Sequence, residues 1–246
     1  LTMNSYPYDE YPMEEMMNMM RPHYEEARDR ARKNSTETKK YGVGIAFGGY
    51  VASSSKDRCE IELELNPDGS ITHYNSWEQM GQGAGIGTLT HTYEALHPLG
   101  IRVDQIRLVQ NDTAITPNTG PAAGSRSHYM VGKATINAAN QLIKAMKKEN
   151  GTFRTYEEMI AENIPTRYKG IQQNDIMPID PNTGKGISNP AMHYILFLSE
   201  VEVDILNGKT KVLNFKAVSD VGVVGNILAV EGQAFGGISH GIGFAL

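Results

Sequence analysis

Two short segments of this chain alternate apolar and polar residues and are followed by turn residues. Residues 59–65 are the clearest strand, because their aliphatic side chains alternate with glutamates. The Asn-Pro-Asp-Gly turn at 66–69 follows, and residues 70–76 are predicted to return as the partner strand. Residues 194–205 and 211–218 predict a second hairpin around an Asn-Gly turn.

Other segments repeat their apolar residues at helical spacing. In the first forty residues, methionines at 13, 16, 17 and 20 predict one helix, and Pro22 is predicted to open a second. Core filling is the favoured interpretation of these methionines, and docking to another subunit is the alternative. Further helices are predicted over residues 87–96, 125–147, 156–162 and 226–246, with a short strand at 105–110. Residues 165–190 are predicted to be loop-like.

This succession of elements predicts an α+β fold of two α/β subdomains, with mixed or antiparallel sheets flanked by helices. The predicted segments are a helical segment at 1–40, a first subdomain portion at 41–150, a loop-rich connection at 151–190 and a second hairpin-helix portion at 191–246. The chain begins with Leu1 and stops within a helical pattern, which predicts an excised piece of a longer polypeptide.

Composition narrows the function classes. The 246 residues carry a net charge of −5 without a long basic stripe, which argues against a nucleic-acid-binding protein. No apolar run approaches the roughly 20 residues needed to span a bilayer, so no membrane partner is expected. The single cysteine, Cys59, rules out an internal disulfide and fits a reducing compartment, so we predict a cytoplasmic protein. A periplasmic location of the full-length enzyme stays open.

A glycine-rich segment joins the first hairpin to the helix that follows it. Residues 80–87 contain four glycines and one amide side chain, Gln82. Glycines allow close backbone approach to a ligand, and the amides at the start of a helix point at it. Gln82 can donate to or accept from an oxo group or a ring edge without a change of charge. A plain glycine-rich turn is the alternative interpretation.

Two further segments are candidate binding sites. Residues 117–127 form a Gly/Pro loop that enters the longest predicted helix, with Ser125 as a candidate N-cap. Arg126 opposes the helix dipole there, which predicts either an anionic ligand or a buried carboxylate partner. Near the end of the chain, glycines at helical spacing accompany His240, for which a structural hydrogen bond is the favoured role.

The residues alone leave three classes open: an oxidoreductase piece, a noncatalytic module that binds a nucleotide or other anion, and a subunit-assembly module. The motifs together resemble the large molybdenum-binding subunit of the xanthine oxidase family, the molybdenum hydroxylases. The likeness is strongest to bacterial aldehyde oxidoreductases that carry molybdopterin cytosine dinucleotide. It is carried by residues 65–69, 77–87, 111–126, 220–222, 231–233 and 236–246.

The resemblance implies a role for each candidate residue. Gln82 would hydrogen-bond an oxo ligand of the molybdenum, and Ser125 and Arg126 would lie near the dinucleotide or in its supporting shell. His240 stands where many relatives have Gln, and with Gly241 it would contact the pterin. The backbone around the pterin would come from Met80, Gly81, Gln82, Gly83 and Ala84.

The resemblance also implies an activity and partners. The family hydroxylates an aldehyde or N-heterocycle carbon with water, and its electrons leave through iron–sulfur clusters. The full enzyme would be a homodimer, with iron–sulfur and FAD segments on the same polypeptide or on other subunits. The family's catalytic Glu follows a Gly-x-Gly pattern, and no Gly-x-Gly-Glu occurs here. The isolated chain is therefore expected neither to hold the cofactor tightly nor to turn over.

Overall fold

The computed structural model describes residues 11–187 and 189–245. None of the helices in these two ranges is both long and apolar enough to cross a bilayer. The helices are α1 (Met13–Asn34), α2 (Ala84–Leu96), α3 (Gly132–Met146), α4 (Tyr156–Ala161) and α5 (Ile227–Ala245). The strands are β1 (Lys39–Ala52), β2 (Arg58–Leu65), β3 (Ile71–Asn75), β4 (Ile106–Gln110), β5 (Arg167–Gln173), β6 (Ala191–Asp204) and β7 (Thr210–Asp220).

The elements group into two compact units, each with its own sheet. Among the described residues, the first unit combines 11–51, 191–223 and 236–245, and the second combines 52–187, 189–190 and 224–235. One sheet has the order β1-β6-β7 and the other the order β4-β3-β2-β5. Helices flank both, so the predicted α+β class with mixed or antiparallel sheets is confirmed. The domain boundaries drawn from the sequence stay a prediction.

The sheet of the second unit is mixed. Strand β2 lies between β3 and β5 and is antiparallel to both, whereas β3 and β4 are parallel. The predicted hairpin of β2 and β3 is confirmed, with Leu65 opposite Ile71 next to the turn. Strand β2 buries every second residue, as the alternation indicates. Its buried face packs against α3 in a core that contains Cys59, Ile61, Leu63, Leu65, Ala134, Ala138 and Leu142.

Strand β5 falls inside the segment 165–190 that was predicted to be loop-like, so that prediction is wrong for residues 167–173. The other described residues of the segment form no helix or strand. The sequence of β5 shows no alternation of apolar and polar residues. The strand forms through its antiparallel pairing with β2. Arg167 donates to Glu62 at 2.6 Å and Lys169 donates to Glu60 at 3.0 Å. Helix α3 crosses the strand so closely that a Cβ on Gly170 would lie 1.9 Å from the Ala134 carbonyl oxygen. Only glycine fits at that position.

In the first unit, helix α1 covers one face of the β1-β6-β7 sheet. Met16, Met20 and Ala27 are buried with Leu196 and Leu198 of β6, so the core-filling interpretation is confirmed for these two methionines. The predicted hairpin of β6 and β7 is also present, and its strands are antiparallel.

The prediction that Pro22 opens a second helix is wrong, because α1 runs unbroken from Met13 to Asn34 with Pro22 inside it. Proline removes one backbone hydrogen bond from a helix interior. Met20 and Ala27, on either side of it, pack into the same core. This burial holds one continuous helix against the local cost of the proline.

A buried histidine joins β3 to α2. The Thr92 hydroxyl donates to the Thr88 carbonyl oxygen at 2.7 Å, so it accepts from Nδ1 of His73 at 2.8 Å. In the neutral ring Nε2 is then an acceptor, and it has no partner among the described residues. Burial, together with the nearby His91, lowers the pKa of His73 to about 3.

This histidine makes folding stability depend on pH. Between its ordinary pKa near 6.5 and about 3, the unfolded chain takes up a proton that the folded chain refuses. The contribution of neutral His73 to folding stability is therefore fully present above about pH 6.5 and is lost as the pH drops below this value. Each pH unit costs about 1.4 kcal/mol, so His73 should remove about 2 kcal/mol between pH 6.5 and 5. When the free energy of unfolding is measured with urea at pH 6.5 and at pH 5, a His73→Leu variant should lose less stability between these pH values than the original chain, by about 2 kcal/mol.

Asn140→Leu, at an exposed position of α3, provides the control, since it introduces the same side chain without removing a titratable group and should keep the pH dependence of the original chain. An unchanged pH slope in His73→Leu would contradict the buried, neutral assignment.

Candidate functional site

The first glycine segment links the end of β3 to the start of α2. Gly81 and Gly83 have φ angles of +99° and +82°, which side chains avoid. The Ala84 amide donates to Oε1 of Gln79 at 3.2 Å. The next two amides of α2, those of Gly85 and Ile86, have no acceptor among the described residues. The start of α2 therefore presents open N–H groups, as helix N-termini do.

The Gln82 side chain is oriented by its own loop. Its Oε1 accepts from the Met80 amide at 2.5 Å, and its Nε2 donates to the Glu78 carbonyl oxygen at 2.9 Å. A primary amide has two N–H groups and two carbonyl lone pairs. One donor and one acceptor of Gln82 thus stay available for a ligand, with the side-chain plane already fixed.

Hydrogen bonds attach the second glycine segment to the first. The Ser76 amide donates to the Thr119 hydroxyl oxygen at 2.9 Å, and the Thr119 amide donates to Oγ of Ser76 at 3.0 Å. The Ala122 amide donates to the Glu78 carboxylate at 2.8 Å. The structure therefore brings together the segments around Gln82 and around Arg126.

Arg126 lies beneath this junction and is only 4% exposed. Its Nε and Nη2 donate to the Asp57 carboxylate at 2.6 and 2.9 Å. Its Nη1 donates to the carbonyl oxygens of Thr119 and Pro121, and Nη2 also donates to that of Arg58. All five guanidinium N–H groups are thereby used. Of the two partners predicted for this cation, the structure supplies the carboxylate, which is half-buried.

The carboxylate of Asp57 is held from several sides. Partial burial acts to raise the pKa of Asp57, but hydrogen bonds from Arg126 and Ser53 outweigh it, so the pKa is lowered. Asn174 donates to Oγ of Ser53 at 2.9 Å, which continues the network to the end of β5. The loop passes so close that a Cβ on Gly120 would lie 2.9 Å from the guanidinium nitrogens. Ser53, Asp57, Arg126 and Asn174 together form the Arg126 network.

Ser125 does not cap a helix, which corrects the prediction. Its φ of +52° places it in the left-handed region. A π-helical turn, Ser127–Val131, begins after Arg126 without a side-chain cap and leads into α3. A bulge of this kind widens the helix locally. Position 125 serves as a bend of the chain, and the side chain at 126 makes the contacts.

The third segment lies on α5 and is divided between the two units after Phe235. In the second unit, Ala229 lies near the first glycine segment, since a Cβ on Gly83 would be 3.6 Å from its side chain. His240 and Gly241 belong to the part of α5 in the first unit, and both are exposed. Within the described residues, no group of three or more His, Cys, Asp or Glu side chains could hold a metal ion.

Comparison with known proteins places this arrangement in a family. Residues 18–246 match the model of the molybdopterin cofactor-binding domain. The chain belongs to this molybdopterin cofactor-binding family. It is 39% identical to an aldehyde oxidoreductase of Megalodesulfovibrio gigas over 96% of this chain and 26% of the relative. It is 30% identical to a xanthine dehydrogenase/oxidase of Gallus gallus over 74% of this chain and 14% of the relative.

Solved structures agree with this membership. The crystal structure of an aldehyde oxidoreductase from Desulfovibrio desulfuricans superposes with a TM-score of 0.91 at 45% identity, over 94% of this chain and 26% of the other. The resemblance to the molybdenum hydroxylases is therefore confirmed. The chain spans about a quarter of the length of the aldehyde oxidoreductases it matches.

Several residues of this molybdopterin-binding domain were missed from the sequence. Glu78 joins the two glycine segments, Gln79 caps α2, Thr119 bonds to Ser76, and Asp57 holds Arg126. Thr119 and Asp57 lie in polar loops that resemble ordinary turns. The one available signal was Arg126, which predicted either an anionic ligand or a carboxylate partner but did not indicate which residue would supply it.

Removing part of the guanidinium should destabilise the domain. In Arg126→Lys the ammonium offers three donors for five acceptors, so Asp57 and buried carbonyl groups lose partners. A buried acceptor left without its donor costs about 1–3 kcal/mol, and two of the five acceptors lose theirs, so the expected loss is about 2–6 kcal/mol. Urea unfolding at pH 7 should show a loss of this size.

The matched control is Arg102→Lys, because Arg102 pairs with Asp104 at an exposed site. Exposed pairs contribute about 0–1 kcal/mol, so that variant should unfold within about 0.5 kcal/mol of the original chain. Equal losses in the two variants would refute the assignment of the buried Arg126 network.

Proposed function

We propose that this chain is the molybdopterin-binding part of an oxidoreductase that hydroxylates an aldehyde or N-heterocycle carbon with water. The observation that carries the proposal is the preset Gln82 amide, with one donor and one acceptor free beside the open amides of α2. Relatives named as aldehyde oxidoreductase and xanthine dehydrogenase/oxidase support the reaction class.

The residues fit such a cofactor. Gly81 and Gly83 expose main chain in conformations that other residues avoid, and a neutral amide suits a ligand that carries oxo groups. The segment 80–84 would supply backbone contacts, and the Gln82 side chain would bond a ligand of the metal. When bound, the cofactor supplies the electron-accepting chemistry, while the protein orients it.

The second and third segments take less direct roles. The Ser125 backbone is proposed to lie near the cofactor, whose form we propose to be the cytosine dinucleotide. Arg126 is assigned to the supporting shell, because each of its side-chain donors is already bound within the protein. His240 and Gly241, exposed on α5, are proposed to contact the pterin.

The residues of this chain hold and orient the cofactor, and the Gln82 amide acts as neither an acid nor a base near neutral pH. Proton abstraction is therefore proposed to come from a Glu outside this chain, since the sequence has no Gly-x-Gly-Glu. Iron–sulfur and FAD segments or subunits, and a second copy of the complete enzyme, are the proposed partners. A cytoplasmic location is the proposed one.

The Gln82 assignment predicts a specific loss. The variant is made in the complete polypeptide and purified from cells that make the cofactor. The molybdenum content of Gln82→Ala should stay within about twofold of that of the original protein, because backbone contacts provide most of the cofactor binding. Removing one donor that acts on developing charge typically lowers kcat by about 10²–10³. Metal analysis and aldehyde-dependent dye reduction measure the two quantities.

Gln173→Ala is the matched control, because Gln173 is an exposed amide at the end of β5. It should leave metal content and turnover unchanged. Full activity in Gln82→Ala at full metal content would refute the role of Gln82, and a complete polypeptide that never retains molybdenum would refute the proposed function.

A further inference from the structure

Glu78 makes two hydrogen bonds in different directions, one with its side chain and one with its main chain. Oε2 of its carboxylate accepts from the Ala122 amide at 2.8 Å. Its carbonyl oxygen accepts from Nε2 of Gln82 at 2.9 Å. A single residue therefore contacts the second glycine segment and the candidate ligand-binding amide.

The partner of the carboxylate is itself fixed. Ala122 follows Pro121, whose carbonyl oxygen accepts from Nη1 of Arg126 at 2.9 Å. The same nitrogen donates to the Thr119 carbonyl oxygen at 2.8 Å. The Glu78 side chain is thus bonded to a loop that the Arg126 network holds from the protein interior.

An ordinary surface carboxylate would be solvated or paired with a cation. Glu78 is exposed, yet its carboxylate accepts from a main-chain amide, and no lysine or arginine forms a salt bridge with it in the described part of the chain. The Ala122 amide lowers the pKa of its carboxyl group, with Arg126 as a weaker charge effect. The carboxylate is therefore bound in place as an acceptor.

Within the described residues, the Gln82 side chain makes no hydrogen bond to a residue outside its own loop. Its second hydrogen bond comes from the Met80 amide, two residues away. Without the carboxylate, residues 78–82 would keep their internal hydrogen bonds but lose this attachment to the second segment. Besides the burial of Trp77 and the Ser76–Thr119 hydrogen bonds, the Glu78 carboxylate attaches this loop to the second segment, and it lies nearest to Gln82 in sequence.

We propose that Glu78 is a positioning residue, which transmits the fixed position of the Ala122 loop to the Gln82 amide. The functional meaning of this role rests on the proposed function, in which that amide faces the cofactor. The coupling itself is a property of residues 78, 82 and 122 and exists without cofactor.

The test uses the 246-residue chain with ¹⁵N-labelled glutamine side chains. Solvent exchange of the Gln82 side-chain N–H groups is measured by NMR in the original chain, Glu78→Ala and Glu78→Gln. Glu78→Ala should speed exchange at least about fivefold, the factor that corresponds to a hydrogen bond of about 1 kcal/mol. Glu78→Gln keeps an acceptor oxygen and should restore exchange to within about twofold of the original.

Glu94→Ala, at an exposed glutamate of α2, is the matched control and should leave Gln82 exchange unchanged. Far-UV circular dichroism reports whether each variant is folded. If Glu78→Ala does not fold, Glu78→Asp answers the same question, because its side chain is one methylene too short to reach the Ala122 amide.

Slow exchange in a folded Glu78→Ala or Glu78→Asp variant would overturn the proposal, and so would failure of Glu78→Gln to restore it. These results would refute only the coupling between Glu78 and Gln82, because the measurement uses the chain without cofactor. A complete polypeptide that never retains molybdenum would instead refute the proposed function.

Discussion

The candidate site depends on one buried cation. Arg126 has five N–H donors, and the protein provides an acceptor for each: two carboxylate oxygens of Asp57 and three main-chain carbonyl groups. A buried charge without partners is strongly unfavourable. The loops that carry these acceptors must therefore converge on the guanidinium. This requirement shapes residues 117–126 although they contain little regular structure.

The convergence has a consequence on the surface. Once the second glycine segment is held from below, its Thr119 and Ala122 bind Ser76 and Glu78 of the first segment. The first segment is anchored at one end by β3 and at the other by α2, whose opening amide is capped by Gln79. Gln82 stands between these anchors. Gln82 is half-buried and Glu78 is exposed, but the loop to which Glu78 is bonded is held by the buried Arg126.

Most helices and strands could be predicted from the sequence, whereas the long-range contacts that hold them and the candidate site could not. Strand β2 and the hairpin turns could be predicted because their periodicity and turn residues are local. Strand β5 could not, since its order comes from ion pairs with β2 and from the fit of Gly170 under α3. The continuous helix across Pro22 likewise follows from tertiary burial. For the site, Gln82 was found from its glycine neighbours. Asp57 and Glu78 were missed because their partners are distant in sequence.

A crystal structure of the complete polypeptide with its molybdenum cofactor would test the account most directly. The decisive quantity is the distance from Nε2 of Gln82 to the nearest oxygen ligand of the metal. We expect hydrogen-bond contact, about 2.7–3.2 Å, with Arg126 still bound to Asp57 and free of the cofactor. A Gln82 amide turned away from the metal, with a cofactor phosphate on the Arg126 guanidinium, would contradict it.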